Sequence, residues 1–465
     1  MWFFLRKPLS SIQSTRITGL SNLKAFDLII VGIGAMIGCG VFTITGIVAA
    51  EFSGPAVIVS YVIGGFATIL IALPYSELAS MLPTSGSIYS YSQVAFGEVF
   101  GGIALSVLAL ELVFGSVCSA CAIGSYFASF LDQVLHMQMP VKYLIGPFEG
   151  GIFNVPASIA AMVFGLLTLI GGEGKNLLST ILVAIKILTV VLFVVLAVPH
   201  FDVAYFTPFV PFGYGKVFAG AAILFTGFSG FSVIPTLADY CRNPGRDVTF
   251  GILGSVILTL LIYIVVAVLF MGLSHYSDLN SPDALIRVLI NTGSRYGVRF
   301  LSCGIVLAII AVFMILLQAT ARIFTIASKD GLLPAFFQHV NNEGKPSYGI
   351  LFCTVCFALL AGLIKFEAAA QSASIGTLVD YTIAMVLVLF FRNRYPNLER
   401  KFKCPFVHLL VCLSISISIY LLYQQGVQSK SAYWKISVYW VLGFLIFYWL
   451  YGLLRNRNNA DLIAR

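Results

Sequence analysis

Apolar residues fill this chain in long runs that leave little polar sequence between them. A bilayer crossing takes ~20 apolar residues at ~1.5 Å each. Twelve stretches qualify: 28–50, 56–80, 100–130, 155–172, 177–198, 217–238, 248–273, 298–326, 348–365, 372–391, 406–424 and 434–454. The longer connections, 275–297 and 328–347, are only loop-sized. An even number puts both chain ends on one side of the membrane, and the basic residues indicate which side. With the N-terminus inside, cytoplasmic segments carry 17 Lys and Arg against 8 outside, with Lys186 and Arg322 inside the stretches. This bias predicts that both termini are cytoplasmic.

Two stretches break the apolar pattern. In the first, GIGAMIGCGVFTIT places Gly32, Gly34, Gly38 and Gly40 where Leu, Ile and Val are expected. In the sixth, Gly227, Ser229, Gly230, Ser232 and Pro235 cluster in the middle. Glycine costs a helix about 1 kcal/mol relative to alanine, and proline removes a backbone donor. Both stretches therefore predict interrupted helices. Interrupted backbone at membrane depth is tolerated only where protein or a polar cavity surrounds it. Each interruption opens a set of five stretches, a pattern that points to an inverted repeat with substrate bound where the half-helices meet. Close glycine packing is the plainer alternative, since Gly34 and Gly38 also satisfy G-x-x-x-G.

The chemistry of such a site follows from free backbone groups. N–H groups of Gly38, Cys39 and Gly40 at a half-helix start suit a carboxylate, and unwound carbonyls near Ala35, Met36, Phe228 and Ser229 suit an ammonium. An amphoteric amino acid fits both. The spacing of G-x-G-A-x-x-G is wrong for a dinucleotide fingerprint, and no strand precedes it.

Composition narrows the class further. Of 465 residues 59% are hydrophobic and 10% charged, with a mean hydropathy of +0.97, whereas soluble domains carry roughly 25% charged residues. The formal charge of +8 is largely absorbed by membrane topology, so nucleic acid is not expected as a partner. The opening MWFFLRKPLSS has too short an apolar run for a signal peptide. Two C-x-x-C pairs, Cys118 with Cys121 and Cys353 with Cys356, lie inside apolar stretches without flanking ligands and read as packing residues. No metal or other cofactor is expected.

Ionisable groups deep in a membrane are costly and mark function. Lys186 lies ten residues into the fifth stretch, roughly 15 Å from its end, and Glu111 is similarly deep in the third; both are candidates for proton coupling. Glu77, Asp239, Arg322 and Asp380 fall nearer the ends of their stretches and suit solvated or loop-pairing roles.

The chain resembles amino acid permeases of the amino acid–polyamine–organocation superfamily, in particular the cationic amino acid transporter branch. The similarity runs in order through GIGAMIGCGVFTITG at 32–46, GPAVIVSY at 54–61, YSELASMLPTSGSIYSY at 75–91, LVAIKILTVVLF at 182–193, NPGRD at 243–247, ARIFTIASKDGLLP at 321–334 and IGTLVDYTIA at 375–384. It implies an all-α membrane protein of twelve transmembrane helices, a five-plus-five inverted repeat with broken helices 1 and 6, two peripheral helices, and alternating access. Gly38, Cys39 and Gly40 would hold the substrate carboxylate, and the Met36 and Ser229 carbonyls its amino group. Thr226, Phe228, Gly230 and Ser232 would line the pocket. Lys186 falls on the lysine that replaces a sodium ion in proton-coupled relatives, and Glu111 on a glutamate typical of the branch. Ser232 stands where the family has an acid, and Asp239-Tyr240 where it has two, which lessens the expectation of cationic substrates.

The resulting expectation is a proton-coupled amino acid transporter, a symporter in the cell membrane. Its divisions are a cytoplasmic segment 1–27, repeats 28–198 and 217–391 joined by an extracytoplasmic loop 199–216, peripheral helices 406–454 and a tail 455–465. Its partners are an amino acid, the proton and the lipid bilayer; the sequence does not give an oligomeric state. An exchanger, a polyamine transporter and a non-transporting sensor are the alternatives. An enzyme is not expected, since neither buried histidines nor an acidic metal cluster accompany the apolar stretches.

Overall fold

A computed structural model describes residues 23–463, apart from 39, 83, 85, 136, 138, 171–176, 282–283, 291–294, 342–343 and 429–430. Helices dominate, and the pairing of Leu23 with Cys241 is an isolated bridge. Nine helical stretches among the described residues are long and apolar enough to cross a membrane, from Ala25–Met81 to Trp434–Tyr451. The expected fourth and ninth stretches are the shorter apolar helices Val155–Leu167 and Ser347–Leu363. The chain is an all-α, multi-pass membrane protein.

Local chemistry sets the helix ends. Helix α1 (Ala25–Met36) starts where the Lys24 N–H donates to Asp27 Oδ2 at 2.8 Å, a side chain bonding back to the cap. A segment covering 40–53 follows it, and Gly54, at φ +59°, turns the chain into α2 (Val57–Met81). Then come α3 (Ser87–Phe96), α4 (Glu98–Leu135), α5 (Val155–Leu167), α6 (Leu177–Ala197) and α7 (Tyr214–Phe225). Asn154 caps α5 by accepting from the Ala157 N–H at 3.1 Å. The second half comprises a 3₁₀ helix Thr226–Tyr240, α8 (Pro244–Met271), α9 (Ala284–Ile290), α10 (Arg295–Lys329), α11 (Ser347–Leu363), α12 (Phe366–Arg394), α13 (Val407–Gln428) and α14 (Ser431–Ile463).

Two elements differ from the hydropathy pattern for one reason. Helix α12 begins at Phe366, six residues before the expected stretch, and α3 was not expected at all. Both are rich in Ser, Ala, Gln and Tyr and are largely buried. They pack against protein, so low hydropathy costs them nothing. Helix α4 packs chiefly on α12 and α10, and α8 on α1 and α2. By contrast α14 carries Tyr439, Ile446 and Trp449 more than half exposed, as expected of a helix facing lipid.

Candidate substrate-binding site

The first interruption opens the backbone. Helix α1 ends at Met36, Ile37 is extended at φ −71° and ψ 109°, and helical geometry resumes at Gly40. Carbonyls of the last turn thereby lose their usual donors, and side chains from other helices supply replacements. The Lys186 ammonium donates to Gly34 O at 2.5 Å. The Tyr263 hydroxyl reaches Met36 O at 2.6 Å and Gly227 O at 2.8 Å. Beyond the break, Tyr61 donates to Gly40 O at 3.2 Å and Tyr126 to Phe42 O at 3.1 Å. Among the described residues the Gly38 N–H donates to no other protein group. Cys39 lies outside the described residues.

The second interruption tightens the backbone. The α-ladder stops at Phe225 and a 3₁₀ helix of 15 residues carries the chain to Tyr240, although such runs rarely exceed three or four. The sequence Thr-Gly-Phe-Ser-Gly-Phe-Ser over 226–232 repeats every three residues, which is the period of a 3₁₀ turn. Its glycine face meets α1: a Cβ on Gly230 would lie 2.6 Å from Ala35 C, and one on Gly40 2.9 Å from Gly227 Cα. Its phenylalanine face packs Phe228 edge-on to Tyr61 and 5.0 Å from Tyr263, and stacks Phe231 on Tyr381 at 4.8 Å. On its hydroxyl face, Ser229 donates back to Thr226 O at 2.9 Å, Thr226 Oγ1 is buried without a partner, and Ser232 donates to Glu111 Oε1 at 2.8 Å. Such back-bonding competes with the α-ladder for carbonyls.

Both interruptions therefore meet at Met36–Gly40 and Gly227–Gly230. The Leu23 N–H also donates to Tyr240 O, and the Arg242 N–H to Leu23 O, both at 3.1 Å, tying the start of one to the end of the other. Met36, Gly38, Gly40, Phe228, Gly230 and Ser232 are buried around this junction, and Thr226 and Ser229 are half-buried. Phe228 belongs to an aromatic cluster with Tyr61 and Tyr263. The Ser229 carbonyl accepts from the Tyr381 hydroxyl at 3.1 Å.

Of the acidic residues Asp380 departs from expectation, whereas Glu77 takes a loop-pairing role as expected. Asp380 lies midway along α12 and is 0% exposed, and both its carboxyl oxygens are buried without a hydrogen-bond partner. The expected stretch 372–391 already holds Asp380 near its middle, and the earlier start of α12 at Phe366 leaves it central, so a place near the end does not hold. Glu77 is 1% exposed, accepting from Arg392 Nε and Nη2 at 2.8 and 2.7 Å and from the Cys404 N–H at 2.8 Å. Arg400 Nε lies 3.4 Å from it. Arg322 is also buried and donates to Thr236 Oγ1 at 3.3 Å. In the connection between α12 and α13, burial pushes the Cys404 thiol up to about 11, with the Glu77 carboxylate adding to the shift.

Sequence reasoning passed over Tyr61, Tyr126, Tyr263 and Tyr381. The usable signal was their hydroxyls, since a tyrosine in mid-membrane needs a hydrogen-bond partner, and freed carbonyls are what an interrupted helix offers.

Two interrupted helices abut within an all-α membrane bundle, an arrangement suited to passing a solute between helices. The profile of the amino acid permease family matches residues 23–447, and the chain belongs to that family. It is 31% identical to the methylthioribose transporter of Bacillus subtilis (strain 168) over 97% of each chain. It is 31% identical to the branched-chain amino acid permease BcaP of the same organism over 94% of each. Identity to the vacuolar cationic amino acid transporter 4 of Arabidopsis thaliana is 30%, over 84% of this chain and 67% of that one.

Proposed function

We propose that this protein moves an amino acid across the membrane by alternating access, coupled to protons, with twelve spans, five-plus-five inverted repeats over 28–198 and 217–391, and both termini in the cytoplasm. The observation that carries the reading is the junction itself. Freed carbonyls of α1 and an N–H without a protein partner at Gly38 stand beside the Gly227–Gly230 turn, which offers an amino group and a carboxylate their opposite backbone partners. In this reading Gly38, Cys39 and Gly40 hold the carboxylate, and the carbonyls of Met36 and Ser229 hold the amino group. Substrate would displace or share the Tyr263 and Tyr381 hydroxyls now bonded there. Thr226, with its unpartnered hydroxyl, and Phe228, Gly230 and Ser232 shape the remaining wall. Lys186 supports α1 at Gly34 O, where its charge can follow the movement of the broken helix, and Glu111 is the acidic partner for a proton.

The test is uptake into proteoliposomes of labelled leucine, alanine, lysine and arginine, with methylthioribose included because one relative is named for it. Each is run with an inward, an outward and no proton gradient. Accumulation under either gradient is the expected result, and its direction separates symport from proton exchange. Failure of folded protein to move any amino acid would remove the amino acid reading, and equal uptake under all three conditions would remove the proton coupling.

A further inference from the structure

Glu111 on α4 and Asp380 on α12 both lie in the protein interior, 3% and 0% exposed, close enough for the Asp380 charge to act on Glu111. The two helices touch at this level: a Cβ on Gly376, one turn before Asp380, would lie 2.7 Å from the Glu111 nitrogen. Ser232 serves Glu111 Oε1, whereas Glu111 Oε2 and both Asp380 oxygens are buried without a partner. The salt bridges found among the described residues lie elsewhere, at Glu77 and Glu367. Of the cations on neighbouring helices, Lys186 donates to Gly34 O and Arg322 to Thr236. The other titratable groups facing the pair are tyrosines, Tyr75 of α2 and Tyr381 of α12, with Tyr91 of α3 behind Tyr75. Two adjacent carboxylates in such surroundings cannot both ionise, because each loses its hydration and repels the other.

A chain of hydroxyls leads from this pair to the substrate junction. Ser232 donates to Glu111 and also meets the Tyr381 hydroxyl, which donates to Ser229 O. We propose that Glu111 and Asp380 form a shared-proton carboxyl pair, and that Ser232 and Tyr381 link its protonation to occupancy of the Ser229 carbonyl. This rests on the reading that a substrate amino group uses that carbonyl. Asp380 thereby acquires a role, restoring beside Ser232 the acidity that a serine at that position lacks. An amino group at Ser229 O brings positive charge towards the pair and draws Tyr381 away from the carbonyl, so substrate favours the ionised form. By reciprocity, protonation weakens substrate binding.

Two measurements on the purified, full-length protein test this. Difference infrared spectroscopy should find a buried carboxylic-acid C=O band at neutral pH that is lost or shifted in both Glu111→Gln and Asp380→Asn. Binding of labelled leucine and lysine, titrated with pH, should weaken by up to about tenfold per unit of falling pH in the wild type, the limit for one competing proton. That slope should flatten in Asp380→Asn and in Tyr381→Phe, while Tyr381→Phe keeps the infrared band. A wild-type protein without the band, a band indifferent to both acid substitutions, or a slope retained in Asp380→Asn would overturn the proposal. Absence of amino acid binding at any pH would instead defeat the substrate reading, and the infrared result would still decide the pair.

Discussion

The two interruptions carry the same sequence signature and resolve it in opposite ways. At α1 the backbone opens, and its orphaned carbonyls depend on Lys186 and Tyr263 from other helices, while Tyr61 and Tyr126 brace the segment beyond the break. Over 226–240 the backbone tightens and continues as a 3₁₀ ladder, Tyr263 and Tyr381 add donors at Gly227 O and Ser229 O, and Ser232 turns outward to Glu111. Stability at the first is therefore a property of the tertiary structure, whereas at the second it is mostly local. The opened element exposes backbone groups for a ligand, and the tightened one offers side chains and a flat glycine face on which the first can lie.

The largest effect is expected where the two elements touch. Alanine at Gly230 would drive its Cβ to 2.6 Å from Ala35 C and 2.7 Å from Met36 N, backbone atoms that cannot swing aside. Gly230→Ala should cost about 3 kcal/mol or more, visible as loss of monodisperse protein in detergent. At Gly38 the neighbour is a side chain, Val312 Cγ2 at 2.6 Å, so Gly38→Ala should fold and reveal its effect in substrate affinity. Equal damage at both positions would show that Val312 yields no more readily than the backbone of α1.

Removing the donors sharpens the difference between the two interruptions. Lys186→Met leaves Gly34 O buried and unserved, a loss of roughly 1–3 kcal/mol, and gradient-driven accumulation should vanish with it. Unchanged pH dependence of transport in that variant would leave Lys186 a purely structural role. Tyr263→Phe strips a donor from both Met36 O and Gly227 O and should cost roughly 2 kcal/mol. Tyr381→Phe, acting on the tightened element, should cost roughly 1 kcal/mol or less. Thermal unfolding of the pair ranks them, and a larger loss in Tyr381→Phe would reverse the assignment of which element leans on its neighbours.

The smallest effect lies outside the membrane spans. With the Cys404 thiol held protonated to about 11, maleimide labelling of that residue should be slow at pH 8 and rise about tenfold per unit towards that value. Glu77→Gln removes a nearby negative charge and should speed labelling at fixed pH. No acceleration would mean that burial alone sets the thiol.

Much of this was legible in the chain. Uninterrupted apolar runs are required of any segment that must satisfy its own backbone in lipid, so the helical class and most helix positions follow from composition alone. Glycine at Gly40 and Gly230 is likewise local information, because a Cβ at either would fall within 3 Å of facing backbone atoms. Even the tightening was written in the three-residue repeat of 226–232, a period that matches a 3₁₀ turn and not an α-helix.

Other features depend on which helices become neighbours. That Asp380 belongs with Glu111 could not be read from α12, because its partner lies on α4, far away in sequence. Nor does a tyrosine's position name the carbonyl it will serve. A freed backbone group and its replacement donor are brought together only by packing, and in a membrane interior packing decides whether a polar atom is tolerated. Local residue chemistry sets where this helix bundle is interrupted. The tertiary structure decided which interruption opened, because donors for freed carbonyls came from other helices.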